Sequence, residues 1–130
     1  MTTELTLLAW SALFCTLLTF PAIGALTRIP GGFAWGLGNR DEPLSGLPPW
    51  AQRARRAHMN MVENLAPFAA VVLIAHVAGR NNGLTVLGAE LFFWGRIAHA
   101  ATYIAGLTPW RTLAFAVSQT GTLLVFLQLL

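Results

Sequence analysis

Four stretches of this chain run for about 20 residues with few or no charges, the length an α-helix needs to cross a bilayer core of about 30 Å. They lie at about Leu5–Leu26, Ala57–Ala78, Leu84–Leu107 and Thr112–Leu130. Lipid offers no hydrogen-bond partner to the backbone, so only helices or closed barrels cross it, and continuous apolar runs of this length fit helices. The expected fold is an all-α integral membrane protein with four transmembrane helices, residues 1–130 forming one domain. Only 10% of the 130 residues are charged, 55% are apolar, and the mean hydropathy is +0.60. Eight basic and five acidic residues cannot coat a soluble domain of this size, because small proteins keep much of their surface in water. A soluble globular monomer, a disordered chain and a fibrous repeat are thereby excluded.

The first stretch does not read as a cleaved signal, since it lacks a basic start, carries Glu4 and is too long for a signal core. Cys15, the one thiol, reads as an apolar helix residue, and bulky Phe14 before it argues against lipid attachment. The connections differ in length. Gly79-Arg80-Asn81-Asn82-Gly83 is a tight polar turn between the second and third stretches. The third and fourth meet around Gly106-Leu107-Thr108-Pro109, with Pro109 suited to a first helical turn. The first connection, Thr27 to Ala51, is long and rich in Gly and Pro.

All eight basic residues are arginine. Arg28, Arg40, Arg53, Arg55 and Arg56 fall in or beside the first connection and Arg111 beside the third, whereas the second holds only Arg80. Positive loops stay cytoplasmic, so loop 27–51 and the third connection are expected there, with both termini on the opposite side.

Charge inside the spans is expensive and by default functional. Arg56, Asn60, Glu63 and Pro67 are spaced i, i+4, i+7, i+11; Arg96, His99 and Tyr103 are spaced i, i+3, i+7. Each set lies on one helix face. Antiparallel helices would bring the two faces together, and Glu63 and Arg96 could pair there as a structural tie. Asn60 also fits an ordinary interhelical hydrogen bond. His76, Glu90 and Arg80 sit toward the other side and read as structural or interfacial; Arg53 and Arg55 read as topogenic. Arg28, Arg56, Arg96 and Arg111 converge on one membrane face, which suits an anionic, carboxylate-bearing ligand because arginine forks match carboxylates. His58, His76 and His99 lack the clustering of a metal site, and the arginines form no extended patch for nucleic acid.

The string Arg-Ala-His-x-Asn-x-x-Glu-Asn-x-x-Pro-Phe, Arg56 to Phe68, resembles the MAPEG family, the membrane-associated proteins of eicosanoid and glutathione metabolism. Gly95-Arg96-Ile97-Ala98-His99-Ala100-Ala101-Thr102-Tyr103 is similar to its microsomal glutathione transferase and prostaglandin E synthase branches. The resemblance implies a homotrimer of four-helix-bundle subunits, with glutathione as co-substrate held between neighbours near the cytoplasmic face. It implies Arg28, Arg56, Asn60, Glu63, Arg96, His99 and Tyr103 as glutathione contacts. Arg111 and Thr112 would act catalytically at the sulfur. An arginine beside a thiol of pKa about 8.5 stabilises the reactive thiolate, which favours Arg111 on chemical grounds as well.

The implied activity is a membrane-embedded glutathione-dependent transferase or peroxidase acting on a lipophilic electrophile or hydroperoxide delivered by the lipid. Two positions depart from some members: Met59 replaces an arginine before Asn60, and Phe115 replaces a tyrosine four residues after Arg111. They motivate an alternative, a non-catalytic member of the same fold that binds another anionic or lipid ligand or serves a membrane assembly. A small proton-coupled exporter is a third reading, but such proteins carry their carboxylate inside helix one, where this chain has only Glu4 at the edge.

Overall fold

The computed structural model covers Met1–Leu130 and is entirely helical apart from its connections. Its elements are α1 (Thr3–Leu17), α2 (Phe20–Leu26), α3 (Gly32–Leu37), α4 (Pro49–Val77), α5 (Gly83–Ala105) and α6 (Thr108–Leu127). Thr3–Leu26 and Pro49–Val77 are long and apolar enough to cross a membrane by length and composition. At 1.5 Å per residue, the 23 residues of α5 and the 20 of α6 reach about 34 and 30 Å.

The first apolar stretch is broken rather than continuous. Pro21 has no N–H to give the preceding turn, so α1 stops at Leu17 and α2 restarts at Phe20. At the break, Thr16 O accepts from both Thr19 N at 3.2 Å and Thr19 Oγ1 at 2.7 Å. The long connection also carries structure, the short helix α3. Farther on, α4 begins at Pro49, eight residues ahead of the expected Ala57, because Pro49 is pre-set for a first helical turn. Arg53, Arg55 and Arg56 are therefore helical residues. Its 29 residues span about 43 Å, more than a bilayer core requires.

Capping fixes the remaining ends. Asn82 Oδ1 accepts from Leu84 N and Thr85 N at 2.8 and 3.1 Å, while Thr85 Oγ1 accepts from Asn82 N at 2.8 Å, a reciprocal box that starts α5. Gly106, at φ +80°, closes α5, and Pro109 opens α6. Polar ties show which ends adjoin. Glu4 Oε1 accepts from Asn81 Nδ2 and Thr85 Oγ1, and Asn82 Nδ2 donates to Gln128 Oε1. At the opposite end Arg53 Nε donates to Ile104 O at 2.9 Å.

The most extensive packing is α5 on α6. It depends on missing side chains: a Cβ on Gly121 would lie 2.4 Å from Gly88 O, and one on Gly95 would lie 2.9 Å from Ser118 N. Such close backbone approach is how helices associate where lipid gives no hydrophobic drive between them. The core beside this seam contains Met61, Val72, Val125 and a stacked Phe68–Phe92 pair with centroids 3.7 Å apart. Only 25 of 130 residues are buried, while Trp10, Leu17, Phe20, Trp94, Trp110 and Phe126 are exposed. A surface this apolar fits hydrocarbon, not water.

Candidate functional site

Polar side chains from α4, α5 and α6 meet in the half of the molecule nearer the long connection. The centre is Arg96, only 1% exposed. Helical spacing places it about 14 Å in from the end of α5. Its Nη2 donates to Asn60 Oδ1 at 2.6 Å and makes a long contact of 3.4 Å with His99 Nδ1. A guanidinium only donates, so His99 Nδ1 is the acceptor and the ring proton sits on Nε2. Nη1 reaches Ser118 Oγ at 3.5 Å, and Nε has no partner at all.

Nearer the end of α5 the aromatic rings take over. The His99 ring, 3% exposed, packs edge-on against Tyr103 at 5.4 Å and tilted against Phe115 at 6.0 Å. Arg111 lays its guanidinium over the Tyr103 ring, 4.6 Å from the centroid, an attraction between cation and ring quadrupole. One turn farther in from Asn60, Asn64 Nδ2 donates to Asn60 O at 2.7 Å, and Asn64 Oδ1 accepts from Gln119 Nε2 at 2.5 Å. The result is a ladder of polar groups running inward from Arg111 and Tyr103.

The nine candidate residues thus divide. Asn60, Arg96, His99, Tyr103 and Arg111 are brought together. Arg28, Arg56, Glu63 and Thr112 are exposed and stand outside this cluster. The Glu63–Arg96 tie is not formed: Glu63 lies on the open side of α4, and Arg96 takes Asn60 instead. The reason is angular, since three residues past Asn60 the helix has turned about 60° short of a full circle. The Thr112 hydroxyl donates back to Thr108 O at 3.2 Å. Asn64, Ser118 and Gln119 join the cluster in addition to the candidate residues. Their signals are the i, i+4 spacing of Asn60 and Asn64 and the polar run Ser118-Gln119-Thr120 within an apolar stretch.

No carboxylate contacts Arg96 or Arg111: Glu63 and Glu90 are exposed, and Glu4 is engaged at the far end. Arg96 is thus a buried cation, and Arg111 a partly buried one, without a carboxylate partner, and a guanidinium in that state is suited to an anion.

Comparison with known proteins agrees with the sequence motifs. The family model of the MAPEG family matches residues 6–130. Human microsomal glutathione S-transferase 1 is 33% identical over 98 residues, 75% of this chain and 63% of that protein. The Bos taurus protein of the same name is 36% identical over 80 residues, 61% of this chain and 52% of its own length. Prostaglandin E synthase of Equus caballus is 33% identical over 69 residues, 52% of this chain and 45% of that protein. The matched segments therefore span about half to under two-thirds of these relatives. No solved structure matches. With nearly its whole length matched, the chain belongs to the MAPEG family.

Proposed function

We propose that this protein is a membrane-embedded glutathione-dependent transferase or peroxidase acting on lipophilic electrophiles or hydroperoxides. In this reading four helices per subunit cross the membrane as a bundle, three subunits assemble, and glutathione enters from the cytoplasmic side near the long connection. The observation that carries it is the buried Arg96 guanidinium, held by Asn60 and His99 beside Arg111 and Tyr103, with no carboxylate in contact. The name of one group of relatives, microsomal glutathione S-transferase 1, supplies the ligand class.

The roles follow from position. Arg96 and Asn60 bind a carboxylate or peptide group of the tripeptide, and His99 and Tyr103 line its path. Arg111 stabilises the thiolate, and Thr112 turns its hydroxyl from Thr108 O to the sulfur. Arg28, Arg56 and Glu63 are exposed on the single chain, which supports a site they complete between subunits. The thiolate then attacks the electrophile; the apolar outer surface suits a second substrate arriving from lipid.

Titrating the purified protein with glutathione while following thiolate absorbance tests the reading. Arg111→Ala is expected to lower turnover about 100-fold with glutathione affinity nearly unchanged, the pattern of a group acting on developing charge. Equal loss of affinity without a separate loss of turnover removes that role. No binding at millimolar glutathione favours the non-catalytic alternative, for which Phe115 speaks. It occupies the wall beside His99 and has no hydroxyl to donate.

A further inference from the structure

A second set of cationic groups surrounds cavities outside the Arg96 cluster. The connection after α3 is tethered: Trp35 Nε1 donates to Glu42 O at 2.6 Å, and Gln52 Nε2 donates to Leu47 O at 2.9 Å. Arg40 stands at φ +61°, a left-handed conformation that few non-glycine residues adopt. Its Nε and Nη2 donate to Gly36 O at 3.3 and 3.0 Å, and its guanidinium lies 5.4 Å from the Trp35 ring centroid. A strained residue held by this many contacts marks a place where position matters.

Two adjoining cavities open here. The inner one, about 230 Å³, is walled by Leu18, Ala22 and Leu26 on one side and by Arg55 and His58 on the other. The outer one, about 600 Å³, shares Trp35, Arg40, Leu44, Leu47 and Arg55 with it. No carboxylate lines either. The larger volume lies within the usual range for small-molecule sites, about 300–1,000 Å³. Apolar walls on the α1–α2 side and arginines on the α4 side describe an amphiphile. In the membrane orientation proposed above, α4 is longer than the bilayer core, which would put its arginines at the depth of lipid headgroups.

We propose that these cavities bind a single-chain anionic lipid, its carboxylate or phosphate between Arg40 and Arg55 and its acyl chain along Leu18, Ala22 and Leu26. Arg56, a proposed glutathione contact, lines the outer cavity only, and the head-group pair Arg40 and Arg55 is distinct from the glutathione contacts.

The test uses the full chain in phosphatidylcholine nanodiscs with palmitate carrying a photoactivatable diazirine. Label is expected in the peptides spanning residues 18–26 and 44–59, and unlabelled palmitate or palmitoyl lysophosphatidic acid should remove it. The stronger competitor identifies the head group. Labelling should fall about tenfold in R40Q/R55Q, a tenfold change being the equivalent of one good charged contact. A22W, which fills the inner cavity and keeps both arginines, should lose labelling comparably. Unchanged helical circular dichroism and thermal midpoint show that both variants fold. Competition by uncharged monopalmitoylglycerol equal to that by palmitate overturns the proposal. So does label spread evenly over the apolar helices and unaffected by either variant.

Discussion

At the end where the chain begins, Glu4 is buried to 2% exposure and its Oε1 accepts from Asn81 Nδ2 at 2.9 Å and Thr85 Oγ1 at 2.5 Å. Toward the other end Arg96 is buried as deeply, yet it holds one short bond, two long contacts and an unpartnered Nε. Both groups suffer the desolvation that makes buried charge costly. The carboxylate is answered by Asn81 in the α4–α5 turn and Thr85 in α5, so its burial ties α1 to α5. The guanidinium is answered in part, and what is left over is capacity for a ligand. The two groups are alike in burial and differ in how far their hydrogen bonds are met; under the proposed function, that difference assigns Glu4 to structure and Arg96 to the ligand.

Removing each charge is the sharpest trial of that contrast. Glu4→Leu leaves Asn81 and Thr85 without their acceptor and is expected to cost about 3 kcal/mol, since hydrogen bonds to charged groups contribute about 1.5–3 kcal/mol each. Thermal or denaturant unfolding in detergent measures it, while glutathione affinity of the folded fraction stays unchanged. Arg96→Met is expected to reverse the pattern. Apolar replacement of a poorly compensated buried charge is often neutral for stability, so the midpoint should shift little. Glutathione affinity should fall about tenfold, equivalent to about 1.4 kcal/mol. A stability loss in Arg96→Met as large as in Glu4→Leu would place both groups in the structural class.

The smallest expected effect concerns the wall of the site. Phe115→Tyr adds a hydroxyl near His99 and Arg111, and one added hydrogen bond contributes about 1 kcal/mol or less. The expected result is a roughly threefold rise in thiolate formation at fixed pH, read by absorbance, with no change in unfolding. No rise would mean that the hydroxyl does not reach the sulfur.

Much of this contrast is legible in the sequence. The i, i+3, i+7 spacing of Arg96, His99 and Tyr103 places them on one face, and all three join the cluster. Asn60 is likewise found as the interhelical hydrogen bonder its type suggests. Glu63 is harder, because spacing gives a face about 100° wide and not which edge of it meets the neighbouring helix. Arg56 and Glu63 remain exposed for the same reason, and their surroundings depend on what covers one chain from outside. The short helix α3 has too few residues to show periodicity. The early start of α4 follows helix-start chemistry and not membrane thickness, and Pro48-Pro49 marks it in the sequence. Glu4, an edge residue in the sequence, becomes a buried anchor only through Asn81 and Thr85, more than 70 positions away.

The absent side chains at Gly88, Gly95 and Gly121 have a mechanical consequence. Backbones in such close contact along α5 and α6 cannot slide or splay without opening voids, so those two helices form a stiff chassis. Arg96, His99, Tyr103, Arg111 and Ser118 all ride on it, which fixes their mutual spacing in advance. Compliance then falls to α4, where Pro67 leaves the Glu63 carbonyl without its helical donor and loosens the ladder. Asn60 sits on that softer element. Of the partners of Arg96, Asn60 alone comes from α4; His99 and Ser118 belong to the stiffer pair.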